Sequence, residues 1–160
     1  MKHFDSFGAF AAHLTRLAAK APAVMHHATD RAAAIIEERA KDEIGQYQPA
    51  VGPYPAWPPL AESTEARKAS AGYPVGAPLL ATGEMYGSVG RTVSGTEAVI
   101  GAEDPKIVYH ELGTDRIPPR PVFGPAAFGA RDTVRKLLGV TTAAWVAGNS
   151  WVRPRAPKQE

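Results

Sequence analysis

Apolar residues recur at helical spacing from the start of the chain: Phe7, Phe10, Leu14 and Leu17 share one face, with Asp5 or Ser6 placed to cap the first turn. Pro22 has no amide proton and crowds the preceding turn, so the pattern predicts helix in two pieces, broken or kinked there. The second piece is longer, carries Val24, Ala28, Ile35, Ile36, Ala40 and Ile44, and stops at Gly45, a natural left-handed C-terminal residue. His26 and His27 lie inside it. Adjacent helix positions point about 100° apart, so the pair reads as surface histidines rather than a metal site.

The periodicity then lapses. Residues 46–78 contain seven prolines (49, 53, 55, 58, 59, 74 and 78), which exclude a continuous strand or helix. A short helix is expected from Leu60 to Ala69. The stretch from Gly52 to Pro59 mixes aromatic rings with polyproline-type backbone. It reads as an extended arm whose Tyr54 and Trp57 anchor on a neighbouring subunit, or as a ligand for a proline-recognition domain.

From Leu79 the pattern tightens again. Leu79 to Met85 reads as a strand end or turn followed by a short helical turn capped by Thr82. Val89–Val93 and Glu97–Ile100 alternate about Ser94-Gly95, the signature of a β-hairpin whose glycine supplies a positive φ. Asp104-Pro105 opens a helix of about two turns, with Ile107, Val108 and Leu112 apolar and Gly113 at its end. Residues 117–123 must be extended, because each residue before a proline is pushed out of the helical region. Gly124-Pro125 starts a last helix, lined by Ala127, Ala130, Val134, Leu137 and Leu138 and closing at Gly139. The tail from Val140, with Trp145 and Trp151 flanking Gly148-Asn149, reads as a hairpin or extended strand.

Composition sharpens this picture in one respect. Of 160 residues, 29 are alanine and 42 are larger apolar residues. Alanine buries little area, so the core is thin for the length and oligomerisation is expected. Thirty glycines and prolines are too many for a simple helical bundle. The absence of cysteine removes disulfide scaffolds, thiol catalysis and cysteine-type zinc sites together. No run of about 18 apolar residues exists to span a membrane. His13, Arg16 and Lys20 interrupt the Ala-rich start, which is better explained by an amphipathic helix than by a signal peptide. A protein made in the cytoplasm is the expectation.

The net charge of +2 is unevenly spread. Residues 1–45 carry six positive and six negative charges, residues 46–118 five and eight, and residues 119–160 seven and two. A basic last third suits complementarity between subunits, proximity to nucleic acid, or simply a solvated C-terminus. Arg131, Arg135 and Lys136 form a basic patch on the last helix that Asp132 dilutes, and no DNA-reading motif accompanies it. Non-specific DNA association through the basic C-terminal third is therefore the alternative function.

Motifs for catalysis are missing. His110-Glu111 lacks the second histidine of a zinc-protease helix. There is no Gly-x-Ser-x-Gly elbow, phosphate-binding loop or dinucleotide fingerprint. The reading assigns no catalytic, cofactor-binding or metal-binding residue and expects no cofactor and no enzyme.

The order of segments carries a resemblance. Trp-Pro-Pro-Leu-Ala-Glu-Ser-Thr occupies 57–64, Leu-Leu-Ala-Thr-Gly-Glu-Met-Tyr-Gly-Ser-Val 79–89, Tyr-His-Glu-Leu-Gly-Thr 109–114, and Ile-Pro-Pro-Arg-Pro-Val-Phe-Gly-Pro-Ala 117–126. In joint order and spacing these pieces resemble the tail-completion and virion-morphogenesis proteins of tailed bacteriophages, the small neck or minor tail components, over roughly residues 5–138. Three positions depart from the family's pattern. Met85 stands for a leucine, Tyr86 for a basic residue, and Val122 for a phenylalanine that here comes one place later as Phe123. The motif positions are Leu80, Thr82, Gly83, Tyr109, Gly113, Thr114, Pro119, Arg120 and Pro121.

The resemblance implies an α+β subunit in which a long, kinked N-terminal helix and a C-terminal helix pack on a small antiparallel sheet. Residues 1–139 would form one domain with 46–78 as a Pro-rich arm, and 140–160 a basic tail or extra hairpin. It implies a structural virion protein at the neck or tail, forming a ring, expected to be hexameric, that completes the tail and supports head–tail joining. Its partners would be further copies of itself, connector proteins, and tail-terminator or tail-tube proteins. DNA would pass through the lumen unread, and no membrane would be involved. Tyr54, Trp57, Trp145 and Trp151 are the interface candidates. Arg120, stiffened between prolines, suits a bidentate carboxylate on a partner or an intrachain salt bridge.

Overall fold

The computed structural model describes residues 3–148. In chain order the elements are α1 (Phe7–Glu43), α2 (Glu62–Ser70), α3 (Glu84–Ser88), β1 (Val89–Ser94), β2 (Glu97–Ala102), α4 (Lys106–Leu112) and α5 (Phe123–Val146). The architecture is α+β, with two long helices and a two-stranded antiparallel sheet.

Ser6 caps α1, its hydroxyl accepting from Ala9 N at 3.1 Å. The helix then runs 37 residues, about 55 Å, as one element with Pro22 inside it. This corrects the expected two pieces: α1 packs along both α5 and the hairpin, and that packing outweighs the loss of one helical hydrogen bond. Close to the proline, Trp145 Nε1 on α5 donates to Leu17 O at 3.2 Å. That contact joins the start of α1 to the end of α5, while Arg39 and Gly129 meet at the opposite ends. The two helices are therefore antiparallel.

Two further expectations at the C-terminus are corrected. The last helix continues through Gly139 to Val146, so residues 140–146 are helix and not hairpin or strand. An internal glycine costs about 1 kcal/mol relative to alanine, less than packing on α1 returns. Trp151 lies outside the described residues.

The hairpin forms as the alternation predicts, with Ser94 opposite Glu97 and Val89 opposite Ala102 across the turn at Gly95-Thr96. One face lies on α1, where Arg91 bridges Asp30 at 3.0 Å and Glu37 at 2.5 Å, and Lys41 joins Glu37 at 2.7 Å. The core gathers Ala40, Ile44, Trp57, Met85, Val89, Ile107, Val122 and Ala126, edged by Ile36, Leu79, Leu80, Ala102 and Phe123. Buried positions on the long helices are mostly small, such as Ala28, Ala33 and Ala40 on α1 and Ala126 and Ala130 on α5.

Candidate functional site

Residues 57–59 and 118–121 include five prolines, which leave backbone carbonyls without matching local donors. The two segments supply each other's donors. Trp57 is only 6% exposed, and its Nε1 donates to Pro121 O at 3.2 Å. Arg120 is 4% exposed, and its Nη2 donates to Pro58 O at 3.0 Å and Pro59 O at 3.1 Å. Arg120 N donates to His110 O at 2.6 Å. Next to it Glu111 Oε2 accepts from Val122 N at 2.7 Å, so a side chain of α4 holds the entry to α5. Burial pulls the Arg120 guanidinium below its ordinary value, and its Nε has no acceptor among the described residues.

This geometry corrects two expectations. Among the described residues Arg120 makes no intrachain salt bridge; two backbone carbonyls accept from its Nη2 instead. The stretch 52–59 is folded back on its own chain: Trp57 is core, and the ring of Tyr54 lies where a side chain on Gly124 would stand. Glycine at 124 is thus a packing requirement. Trp145, half-buried, also serves its own chain through Leu17.

The remaining motif residues shape the turns around this knot. Gly113 ends α4 with φ +73, and a side chain there would strike the backbone of Pro119 and Ile117. Thr114 N donates to Ile117 O at 2.8 Å, and its hydroxyl accepts from Arg116 N and Ile117 N. Tyr109 faces outward, 57% exposed, beside Val108 and Leu112 on the open side of α4. Leu80 edges the core, and Thr82 Oγ1 accepts from Glu84 N at 3.3 Å at the entry to α3.

Leu80, Thr82 and Gly83 also line a cleft of about 500 Å³ between α2, α3 and α4, together with Arg67, Tyr73, Lys106 and His110. His110 Nδ1 is buried with no partner among the described residues. Burial, reinforced by the charge of Arg120 and opposed by Asp104, holds its imidazole below the usual histidine value and so neutral at pH 7. Lys68 Nζ donates to Ala77 O and to Leu80 O at 2.9 Å, closing the 71–80 loop. Among the described residues no group of three or more His, Asp or Glu is placed to hold a metal ion.

Sequence reasoning missed Glu43. It is buried in the last turn of α1, its Oε2 has no donor among the described residues, and it lines a second cleft of about 540 Å³ with Arg39, Asp42, Gln48 and Pro125. Burial, and then the charge of Glu111, push its carboxyl up to about 8 against the pull of Arg39. The available signal was an acidic residue in a helix's last turn, where the macrodipole opposes negative charge.

The paired ends of α1 and α5 carry several exposed apolar side chains. Phe7 is 85% exposed, Val140 64%, Val146 53% and Leu14 48%. Between them a hollow of about 390 Å³ is lined by Phe4, Phe10, His13, Leu14, Leu17 and Val146 among others. The face predicted from Phe7, Phe10 and Leu14 is helical as expected, yet the described residues cover only part of it. Comparison with protein-family models, curated proteins and solved structures finds no match.

Proposed function

We propose that this chain is a structural subunit of a tailed-phage virion, assembling as a ring at the neck or tail end to complete the tail and support head–tail joining. The observation that carries the reading is the convergence of the segments behind the resemblance. Residues 57–59, 110–111 and 118–122 are held together by the Trp57, Arg120 and Glu111 hydrogen bonds, so three of the four segments that carry the resemblance pack as one unit, which supports the reading. The apolar ends of α1 and α5 supply surface for neighbouring copies, as a thin core requires. The described basic residues of α5 favour DNA association less, since Arg131 and Arg135 both lie near Asp132.

The test is where the protein ends up. In cells producing particles from the genome that encodes it, the chain is expected to co-purify with intact virions, with gold-labelled antibody marking the head–tail junction or tail end. Its deletion is expected to leave heads and tails unjoined. Particles that lack the protein and assemble normally without it would overturn the reading. Steeply salt-dependent binding of the isolated chain to random duplex DNA would then favour the alternative.

A further inference from the structure

Among the described residues the hairpin is the whole sheet, so both its strands are edges, and a two-stranded sheet alone is marginal. Its hydrogen-bond phase is fixed at both ends. The two-residue turn makes Ser94 and Glu97 a bonded pair, and beyond the strands Glu103 N donates to Ser88 O at 3.2 Å. Bonded pairs therefore fall at Gly90–Gly101 and Thr92–Val99. The N–H and C=O groups of Ala98, Ile100 and Ala102 must point away from β1, and among the described residues none of them meets a hydrogen-bond partner.

The two edges differ. On β1, Arg91 is tied to Asp30 and Glu37 of α1. The free edge of β2 is less protected: Glu97–Ala102 contains no proline, lysine or arginine, its one charge is Glu97 at the start of the strand, and no described element pairs with it. Arg91 and its partner Ile100 face α1, so Val99 points to the opposite side, where it is 71% exposed.

We infer that the outer edge of β2 pairs antiparallel with β2 of a second copy about a two-fold axis at Val99, joining two hairpins into a four-stranded sheet. The edge chooses its occupant by self-complementarity. Antiparallel pairing centred on Val99 sets Ala98 opposite the other copy's Ile100 and Ile100 opposite its Ala98, both outward-facing bonded pairs. Val99 then meets Val99 as a non-bonded pair, with Cα atoms about 4.5 Å apart. Glu97 falls opposite glycine at 101, so no like charges meet. Centring one pair later would set Glu97 against Glu103, which like-charge repulsion disfavours. The contact is small and the pair correspondingly weak. It is isologous and goes beyond the ring reading, because a ring built from such pairs needs a second contact.

The chain contains no cysteine, so Val99→Cys adds a lone thiol on the axis, within disulfide reach of its copy. Mild oxidation of the full-length variant is expected to yield mostly covalent dimer. Thr92→Cys, exposed on the same face but on β1, is expected to yield at least ten-fold less. Adding Ala98→Pro to Val99→Cys removes one outward N–H and no bond within the hairpin. It is expected to cut the dimer at least ten-fold while the circular dichroism spectrum is retained. Equal yields from the two cysteines, or a dimer indifferent to the proline, would overturn the inference. Rings in which Val99→Cys does not cross-link would overturn it while leaving the ring reading intact, and cross-linked pairs in a chain absent from virions would do the reverse.

Discussion

Around Arg120 the protein buries a cation and an indole against backbone carbonyls, whereas at the joined ends of α1 and α5 it leaves phenylalanine and valine in water. The first region is polar in chemistry and closed; the second is apolar and open. In the knot, proline-rich backbone lacks donors, and each acceptor left inside without one would cost about 1–3 kcal/mol, so Trp57 and Arg120 are drawn in as donors. At the helix ends no such demand exists, and the described residues leave much of what α1 presents uncovered. Burial in this fold is thus set where polar groups require it, and apolar surface is left for other molecules.

The contrast is broken most severely at Trp57. Trp57→Ala empties a core position and orphans Pro121 O together, and it is expected to cost about 3–5 kcal/mol in urea unfolding. Trp57→Phe, which keeps most of the volume and loses the N–H, is expected to cost roughly a third of that. Near-equal losses would show that the hydrogen bond, and not the ring, dominates.

A smaller effect, readable by pH, comes from Glu43 at the border of the knot. Its carboxyl is near 8 in the fold against an ordinary 4.5. Between those values the folded chain keeps a proton that the unfolded chain has lost. This group's contribution is therefore complete below about pH 4.5, shrinks as pH rises, and is gone above about pH 8. Wild-type stability is expected to fall between pH 5 and 8 more steeply than that of Glu43→Gln, by up to about 1.4 kcal/mol per pH unit. Parallel profiles would contradict the raised value.

The smallest effect on folding belongs to the open end. Phe7→Ser and Leu14→Ser are each expected to change monomer stability by no more than about 0.5 kcal/mol. Both are expected to weaken self-association measured by sedimentation. A stability loss of the size expected at Trp57 would mean that this face is covered within the monomer after all.

Several elements were legible because their causes are local. Ser6 as a cap, the Asp104-Pro105 helix start, the short helix after Leu60 and the hairpin at Gly95 each depend on neighbours within a few residues. Gly139 and Pro22 misled for the complementary reason. Their local penalties are real but small beside the packing of α1 on α5, which no window of sequence contains. The candidate site was legible only in its residues. Arg120 and Trp57 stand out in the sequence, but their shared acceptors in two proline runs appear only when the chain closes.

By itself the sequence determined the order of most elements up to the last helix and the shortage of bulky core residues, since propensity, capping and composition act over short range. Tertiary structure alone decided that Arg120 of the 118–121 step turns inward while Pro118 and Pro119 stay exposed, that Glu43 is buried within reach of the charge of Glu111, and that among the described residues much of the apolar stripe at the start of α1 is exposed. Those outcomes depend on which distant segments supply donors, charge and volume at the same point in space.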